Sequence, residues 1–303
     1  MAEDPHVTVV IPVFDDPDGL RRCTEALLDQ TYRPDRVLVV VVDNGSTLDV
    51  AESMPNDPRF VLLHEPRPGS YTARNTAMAA ATGEVLAFTD ADCTPARDWL
   101  AEGIVALRAS DCDAVGGAVR MTFRGDRPKT APEIFESVEG FPQQRYIERD
   151  GFAVTANLFV RADAMRKVGP FDSSLRSGGD MQWCHRLRGC GGKLGYAPLA
   201  LVEHPARTTW TDLGRKALRV GRGLAEHRGV GGKRALARAA LSDLRAGTAV
   251  WRRVWHAAEP VRRDDKIRYA TAFSYVRVLR TYGQLAKLSE SRSAPPPEGT
   301  KQP

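Results

Sequence analysis

Three short runs of apolar, mostly β-branched residues, each broken off at aspartate, constrain this chain more than any other feature. Val7 to Val13 is stopped by Asp15, Asp16 and Pro17, and Val37 to Val42 by Asp43-Asn44-Gly45-Ser46. Val85 to Thr89 runs straight into Asp90-Ala91-Asp92. Runs this short and this uniformly apolar suit strands buried on both faces, as in parallel sheets covered by helices. Between them, Leu20, Cys23, Leu27 and Leu28 fall at helical spacing within 18–30. Phe60 to His64 predicts a further strand, and Ala73 to Ala81 an alanine-rich helix stopped at Gly83. This alternation implies an α/β, Rossmann-like, mostly parallel sheet flanked by helices with right-handed crossovers. Ligands of such sheets bind beyond the carboxyl ends of the strands, so the three acidic clusters are expected to share one edge.

Farther along, Ala114 to Met121 and Val154 to Arg161 predict strands, with Gly116-Gly117 marking a close approach inside the first. Asp180 to Leu187 predicts a helix after Ser177-Gly178-Gly179, and 124–150, rich in proline and charge, reads as a long loop. Beyond Gly229-Val230-Gly231-Gly232 two amphipathic helices are predicted. Leu241, Leu244, Thr248, Trp251 and Trp255 share one face of the first; Tyr275, Val278, Leu279, Tyr282 and Leu285 share one face of the second. An apolar stripe of that kind ordinarily marks a packed core. The Pro- and Ser-rich end, 291–303, reads as a disordered tail. The expected organisation is a domain over 1–230, a C-terminal α-helical extension over 231–290 and the tail.

Bulk properties exclude several classes. With 303 residues, 42% hydrophobic and 27% charged, the chain is an ordinary globular protein. Its 5 cysteines include no C-x-x-C pair, which argues against a disulfide framework or a zinc site and for a reducing compartment. The N-terminus lacks the basic and apolar regions of a signal peptide, and no stretch reaches the roughly 18 apolar residues of a membrane span. The expected location is cytoplasmic. The net charge of +5 conceals an asymmetry: residues 206–289 hold 19 Lys/Arg against 6 Asp/Glu, leaving 24 against 32 elsewhere. A basic tail suggests an anionic partner. Nucleic acid is disfavoured, because no zinc-finger or helix-turn-helix signature accompanies the charge. Basic amphipathic helices also suit peripheral contact with the inner face of a membrane, and packing on a second subunit would make a homodimer.

Two carboxylates one residue apart at a strand end, as in Asp90-Ala91-Asp92, can both reach one hard divalent cation. Mg²⁺ and Mn²⁺ take oxygen ligands and often bind through one or two carboxylates plus substrate phosphates. Alone the tripeptide is weak, since D-x-D recurs by chance in turns and caps. Its strength is the buried strand before it and the two acidic strand ends beside it.

The segments Val-Ile-Pro-Val-Phe-Asp-Asp (10–16), Val-Asp-Asn-Gly-Ser-Thr (42–47), Gly-Ser-Tyr-Thr-Ala-Arg-Asn (69–75) and Phe-Thr-Asp-Ala-Asp (88–92) resemble successive signatures of the inverting family 2 glycosyltransferases of GT-A fold. Thr-Ala-Asn-Leu-Phe-Val-Arg (155–161), Val-Gly-Pro-Phe-Asp (168–172) and Gly-Gly-Asp-Met-Gln-Trp-Cys-His-Arg (178–186) continue the series in order. The resemblance covers about 6–230. It implies transfer of a sugar from a nucleotide-diphosphate sugar, most commonly a UDP-sugar, to an acceptor hydroxyl on a glycan, a lipid-linked molecule or a small molecule, with Mg²⁺ or Mn²⁺ as cofactor.

The roles that follow from the resemblance are these. Asp43 recognises the nucleotide base, with Pro12, Val13 and Asp15 walling the same pocket. Arg74 faces the diphosphate or shapes the pocket. Asp90 and Asp92 hold donor and metal, Asp92 as the more direct ligand, and His204 is a further metal ligand. Asp180 is the catalytic base, and the acidic residue usual just before it is here Gly179. Trp183 and Arg186 either line the acceptor pocket or pack inward. Two alternatives weigh less. A sugar-phosphate nucleotidyltransferase would need a glycine-rich, basic loop after the first strand, whereas Phe14-Asp15-Asp16-Pro17-Asp18 is acidic; a nucleic-acid-binding protein rests on the basic tail alone.

Overall fold

The computed structural model describes residues 3–228, 232–256 and 263–293. In chain order the elements are β1 (Val7–Val13), α1 (Pro17–Leu28), β2 (Val37–Asp43), β3 (Phe60–His64), α2 (Ser70–Ala79), β4 (Val85–Thr89), β5 (Thr94–Pro95), α3 (Trp99–Ala109) and β6 (Ala114–Thr122). There follow α4 (Ala131–Glu139), the single turn α5 (Gln143–Arg145) leading into a π turn at Tyr146–Asp150, β7 (Asn157–Arg161), α6 (Ala162–Val168), α7 (Gly179–Gly189) and β8 (Leu194–Pro205). Three helices close the chain: α8 (Trp210–Arg228), α9 (Gly232–His256) and α10 (Arg263–Ser293).

The strands form one eight-stranded sheet in the order β3-β2-β1-β4-β7-β6-β8-β5. Strands β3, β2, β1 and β4 run parallel, as do β6 and β8. β7 is antiparallel to both its neighbours, and β5 to β8. The mostly parallel sheet expected from the apolar runs is therefore present, with two reversed strands. Hydrophobic patterning reports which faces are buried and carries no direction, so reversal was not legible. Alternate residues of each strand feed two cores. Val9, Ile11, Val39 and Ala87 pack with α1 and α3, while Val10, Val40, Leu86 and Phe88 pack with α2 and α7. Burying each large apolar side chain contributes roughly 1.5–3 kcal/mol.

The segment 124–150, expected as a loop, contains α4 and the turns after it. The overlooked signal is Thr130-Ala131-Pro132-Glu133. The Glu133 carboxylate accepts from the Thr130 N–H at 2.8 Å, and the Glu133 N–H donates to Thr130 Oγ1 at 3.3 Å. That is a capping box, with proline in the first turn where its missing N–H costs nothing.

The chain divides into two compact units, one of 1–128 and 136–206, the other of 129–135 and 207–303. The division falls at 206, not at the expected 230, because α8 packs on α10 through Gly214, Gly221 and Leu279. The second unit's core is Leu213, Ala217, Ala272 and Val276, with a second cluster of Val250, Ala270 and Phe273. Here the predicted apolar stripes are only partly packed, with Tyr275 and Leu279 against the first of these clusters. Leu241, Leu244, Trp251, Val278, Tyr282 and Leu285 are exposed, and α9 instead buries Ala240, Asp243, Gly247 and Val250. Small residues let the backbones approach, and Asp243 is satisfied by Arg277 at 2.6 Å and Gln284 at 2.8 Å. The Trp255 side chain and residues 294–303 of the predicted tail lie outside the described residues, while 291–293 finish α10.

Candidate active site

The carboxyl ends of β1, β2 and β4 lie side by side in the sheet, with Val13 paired to Asp43 in register. This edge collects the three acidic clusters. Pro12 and Val13 close β1; Val13 is buried and its carbonyl accepts from the Asn44 N–H at 2.9 Å. Asp15 sits at φ 51, and its Oδ1 accepts from the N–H groups of Thr47 and Leu48 at 2.6 and 3.1 Å. Those amides, Leu48 foremost, hold its carboxyl below the ordinary value. Asp15 thus clamps the end of β1 to the turn after β2.

Asp43 accepts from the Ser46 N–H at 2.9 Å and meets His64 Nδ1 at 3.2 Å. Burial works to raise its pKa, but the bonds from Ser46 and His64 outweigh it, and the carboxyl stays below its ordinary value. Asp43 is therefore an ionised acceptor of fixed orientation with lone pairs to spare. Asn44 was not singled out in the sequence. Its Nδ2 donates to the carbonyls of Glu65 and Arg67 at 2.9 and 2.8 Å, and its Oδ1 accepts from the Gly69 N–H at 2.8 Å. It ties the segment leading into α2 to the end of β2, and so aims α2 at the edge.

Arg74, on α2, is 4% exposed and donates through Nη2 to Asp90 Oδ1 at 2.5 Å. Its buried Nε has no partner among the described residues, and its guanidinium lies 5.7 Å from the centre of the Tyr71 ring. Arg74 lies in the interior behind Asp90, where it shapes the site and neutralises one aspartate.

Asp92 Oδ2 faces His204 Nε2 at 3.5 Å. His204 is buried, and Nδ1–H donated to the Pro205 carbonyl at 2.9 Å turns the Nε2 lone pair toward Asp92. The ring of Phe141 covers it at 4.9 Å between centroids. Two lone-pair donors pointed at one another need a cation between them, either a proton or a metal. Asp92, Cys93 and His204 bring three such atoms within 4.8 Å of one another. Burial, with Asp90 and Asp92 nearby, pushes the Cys93 thiol well above its ordinary value, so it stays protonated and is a poor ligand. A carboxylate and an imidazole set against each other fit Mn²⁺ and, less well, Mg²⁺.

Asp180 opens α7. Its Oδ1 accepts from the Tyr71 hydroxyl at 3.2 Å and from the Met181 N–H at 2.9 Å. Burial raises its pKa; Met181, the charge of Arg74 and Tyr71 act the other way and only partly offset it. Tyr71 was missed in the sequence, and it explains Gly179. A Cβ on residue 179 would stand 2.7 Å from Tyr71 Cε2, so the ring occupies the space a larger residue would need.

Trp183 and Arg186 settle inward. Trp183 is fully buried with its indole N–H donated to the Gly169 carbonyl at 2.9 Å. Arg186 donates to the carbonyls of Val168 and Pro170 at 2.8 and 2.5 Å. Both staple the 168–171 segment to α7.

Residues 8–169 match the family model described as glycosyl transferase family 2. Glycosyltransferase AglE of Haloferax volcanii is 38% identical over 224 residues, 72% of this chain and 73% of that one. Pre-mycofactocin glycosyltransferase of Mycobacterium tuberculosis is 34% identical over 223 residues, 70% of this chain; the match spans 45% of that longer protein. Mannosyltransferase PcManGT from Pyrobaculum calidifontis, solved in complex with GDP-Man and Mn²⁺, has a TM-score of 0.60 at 20% identity, over 97% of this chain and 77% of that one. The chain belongs to glycosyltransferase family 2. It is a glycosyltransferase of GT-A fold with C-terminal helices.

Proposed function

We propose that the chain transfers a sugar, with inversion, from a nucleotide-diphosphate sugar to an acceptor hydroxyl, and that it needs Mn²⁺ or Mg²⁺ to do so. The observation that carries this reading is Asp92 opposed to His204 Nε2 at 3.5 Å, on the edge that also holds Asp43. Ionised Asp43 accepts a base N–H, within the pocket made by Pro12, Val13 and the turn that Asp15 clamps. Arg74 cancels the charge of Asp90, so the pair of aspartates presents a lower negative charge to an incoming diphosphate. Asp92 and His204 hold the cation, which when bound neutralises charge developing on the leaving diphosphate.

Asp180 takes the proton of the acceptor hydroxyl as that oxygen attacks the anomeric carbon from the side opposite the diphosphate. Its raised pKa makes it a better proton acceptor, and the Tyr71 hydroxyl and Met181 N–H fix the orientation of its carboxylate. A UDP-sugar is the first donor to test, with GDP- and dTDP-sugars beside it. The acceptor is a glycan, a lipid-linked molecule or a small molecule. Five free cysteines, four of them buried, suit the reducing cytoplasm. Among the described residues no helix is long and apolar enough to cross a membrane.

Release of nucleoside diphosphate from each donor, followed with Mn²⁺, Mg²⁺ or EDTA, tests the proposal. Turnover should vanish with EDTA and in Asp180→Asn, while Asp180→Asn retains donor binding. NMR of the product should show the anomeric configuration inverted. His204→Ala should raise the Mn²⁺ concentration needed by at least about tenfold. Full activity in EDTA removes the metal reading, and full turnover in Asp180→Asn removes the base assignment.

A further inference from the structure

The second unit carries an apolar face that its own packing leaves uncovered. In α10 one flank meets α8: a Cβ on Gly214 would touch Tyr275 and Leu279, and one on Gly221 the backbone of Arg280. Another flank meets α9, where Arg277 and Gln284 bind Asp243 and the Thr281 hydroxyl donates to the Ala240 carbonyl. Ile267, Val278, Tyr282 and Leu285 fall on a third, at spacings of 11, 4 and 3 that helical geometry places in one row. Two tryptophans extend this row. Trp251 of α9 donates its indole N–H to Ser274 Oγ at 3.1 Å, and Trp210 of α8 sets its ring edge-on to Tyr275 at 5.1 Å. All six side chains are between 40% and 61% exposed. Large apolar and aromatic side chains exposed along one face mark an interaction surface more often than singly scattered ones do.

The charge around it identifies the partner. Arg215, Arg219 and Arg222 recur at i, i+4 and i+7 along α8, all exposed, and Arg245 and Arg252 are exposed on α9. Residues 206–289 hold 19 basic against 6 acidic side chains. A second copy laid on the same face would bring that surplus against itself, since an isologous contact meets its own charge. An anionic lipid surface meets it with the opposite sign, and offers an apolar layer to the row and an interfacial layer to the two amphipathic indole rings.

We propose that this face docks on the surface of an anionic phospholipid bilayer, with α10 lying in the interface and Trp210 and Trp251 at headgroup level. The row is one face of a helix whose other faces are packed, so it lies on the membrane and does not span it. The docking rests on the second unit alone and is independent of the chemistry assigned to the sheet edge.

Flotation of the full chain with vesicles of phosphatidylcholine containing about 30% phosphatidylglycerol, against pure phosphatidylcholine, tests it. The protein should float with the first and not the second, and its tryptophan emission should shift to the blue on binding. Added salt should weaken binding by screening the arginines. Val278→Asp and Tyr282→Asp, both at exposed positions, should each weaken binding by about tenfold or more, since each sets a charge against the apolar layer. Trp251→Phe should remove part of the blue shift while the chain still floats. Donor turnover with a water-soluble acceptor should be unchanged in Tyr282→Asp, which separates this result from failure of the enzymatic reading. Absence of flotation overturns the proposal. So does a dimer in size-exclusion chromatography that Tyr282→Asp dissociates while vesicle binding stays the same.

Discussion

The Tyr71 hydroxyl donates to Asp180 Oδ1 at 3.2 Å across 109 residues of sequence, and the same ring fills the space above Gly179. One aromatic side chain from α2 therefore sets both the orientation of the acidic group that opens α7 and the identity of the residue before it. The ring is itself packed against Phe171 at 5.7 Å, and Phe171 against Phe88 at 5.5 Å, so it has little freedom to move.

Tyr71→Phe keeps the packing and deletes the donor. A donor to the charged form lowers an acid's pKa, so its loss raises that of Asp180 further. The acidic limb of the kcat profile is expected to move to higher pH. On that limb kcat should fall by about tenfold at a given pH, the equivalent of ~1.4 kcal/mol for one hydrogen bond to a charge, while the plateau above it is kept. An unmoved limb would show that Tyr71 does not address the base.

Gly179→Ala places a methyl against the Tyr71 ring. Overpacking of this kind typically costs about 1–3 kcal/mol, and it displaces Asp180 at the same time. In a double-mutant cycle with Tyr71→Ala, the cost of Gly179→Ala should largely disappear. Additive stabilities in urea unfolding would contradict the steric link.

Asp180→Asn should stabilise the fold at neutral pH while it abolishes turnover. The folded pKa of Asp180 is raised, so the wild type is favoured below the unfolded carboxyl's pKa and loses that stability as pH climbs through the folded value. Asparagine does not ionise and loses nothing over that window. A rise in Tm of roughly 2–4 °C at pH 7, closing toward acid, is the expected signature, ~1 kcal/mol for a domain of this size. A Tm gap that does not change with pH would count against it.

Arg74→Leu leaves Asp90 facing a buried apolar residue. Since Asp90 keeps partial contact with water, the cost is set at about 1–3 kcal/mol, below that of a fully buried orphan charge. The variant should regain much of this stability in Arg74→Leu/Asp90→Asn, measured by urea midpoints. If the second substitution gives nothing back, the pair does not carry the stability assigned to it.

Much of the first unit was legible because its signals are local. Val7 to Val13, Val37 to Val42 and Val85 to Thr89 are apolar but for Thr8 and Thr89, and runs so short suit strands covered on both sides. Their aspartates follow the carboxyl ends of neighbouring parallel strands, so the sharing of one edge by Asp43, Asp90 and Asp92 is legible from the chain alone. The second unit was misread for the opposite reason. Leu241, Leu244 and Trp251 carry the hydrophobic period of α9, yet the buried face is Ala240, Asp243, Gly247 and Val250. Periodicity weighs side chains by apolarity, whereas close helix packing selects small ones.

The sequence by itself determined the strand-and-helix order, the α/β class, the acidic strand ends and the family. It did so because burial pattern and motif order are written along the chain. Tertiary structure alone decided the reversal of β7, the pairing of Arg74 with Asp90, the opposition of Asp92 to His204 and the contact of Tyr71 with Asp180. It also turned Trp183 and Arg186 inward and left the apolar row of α10 uncovered. Each of these depends on the direction in which a side chain points after distant segments meet, and direction in space is not encoded in local periodicity.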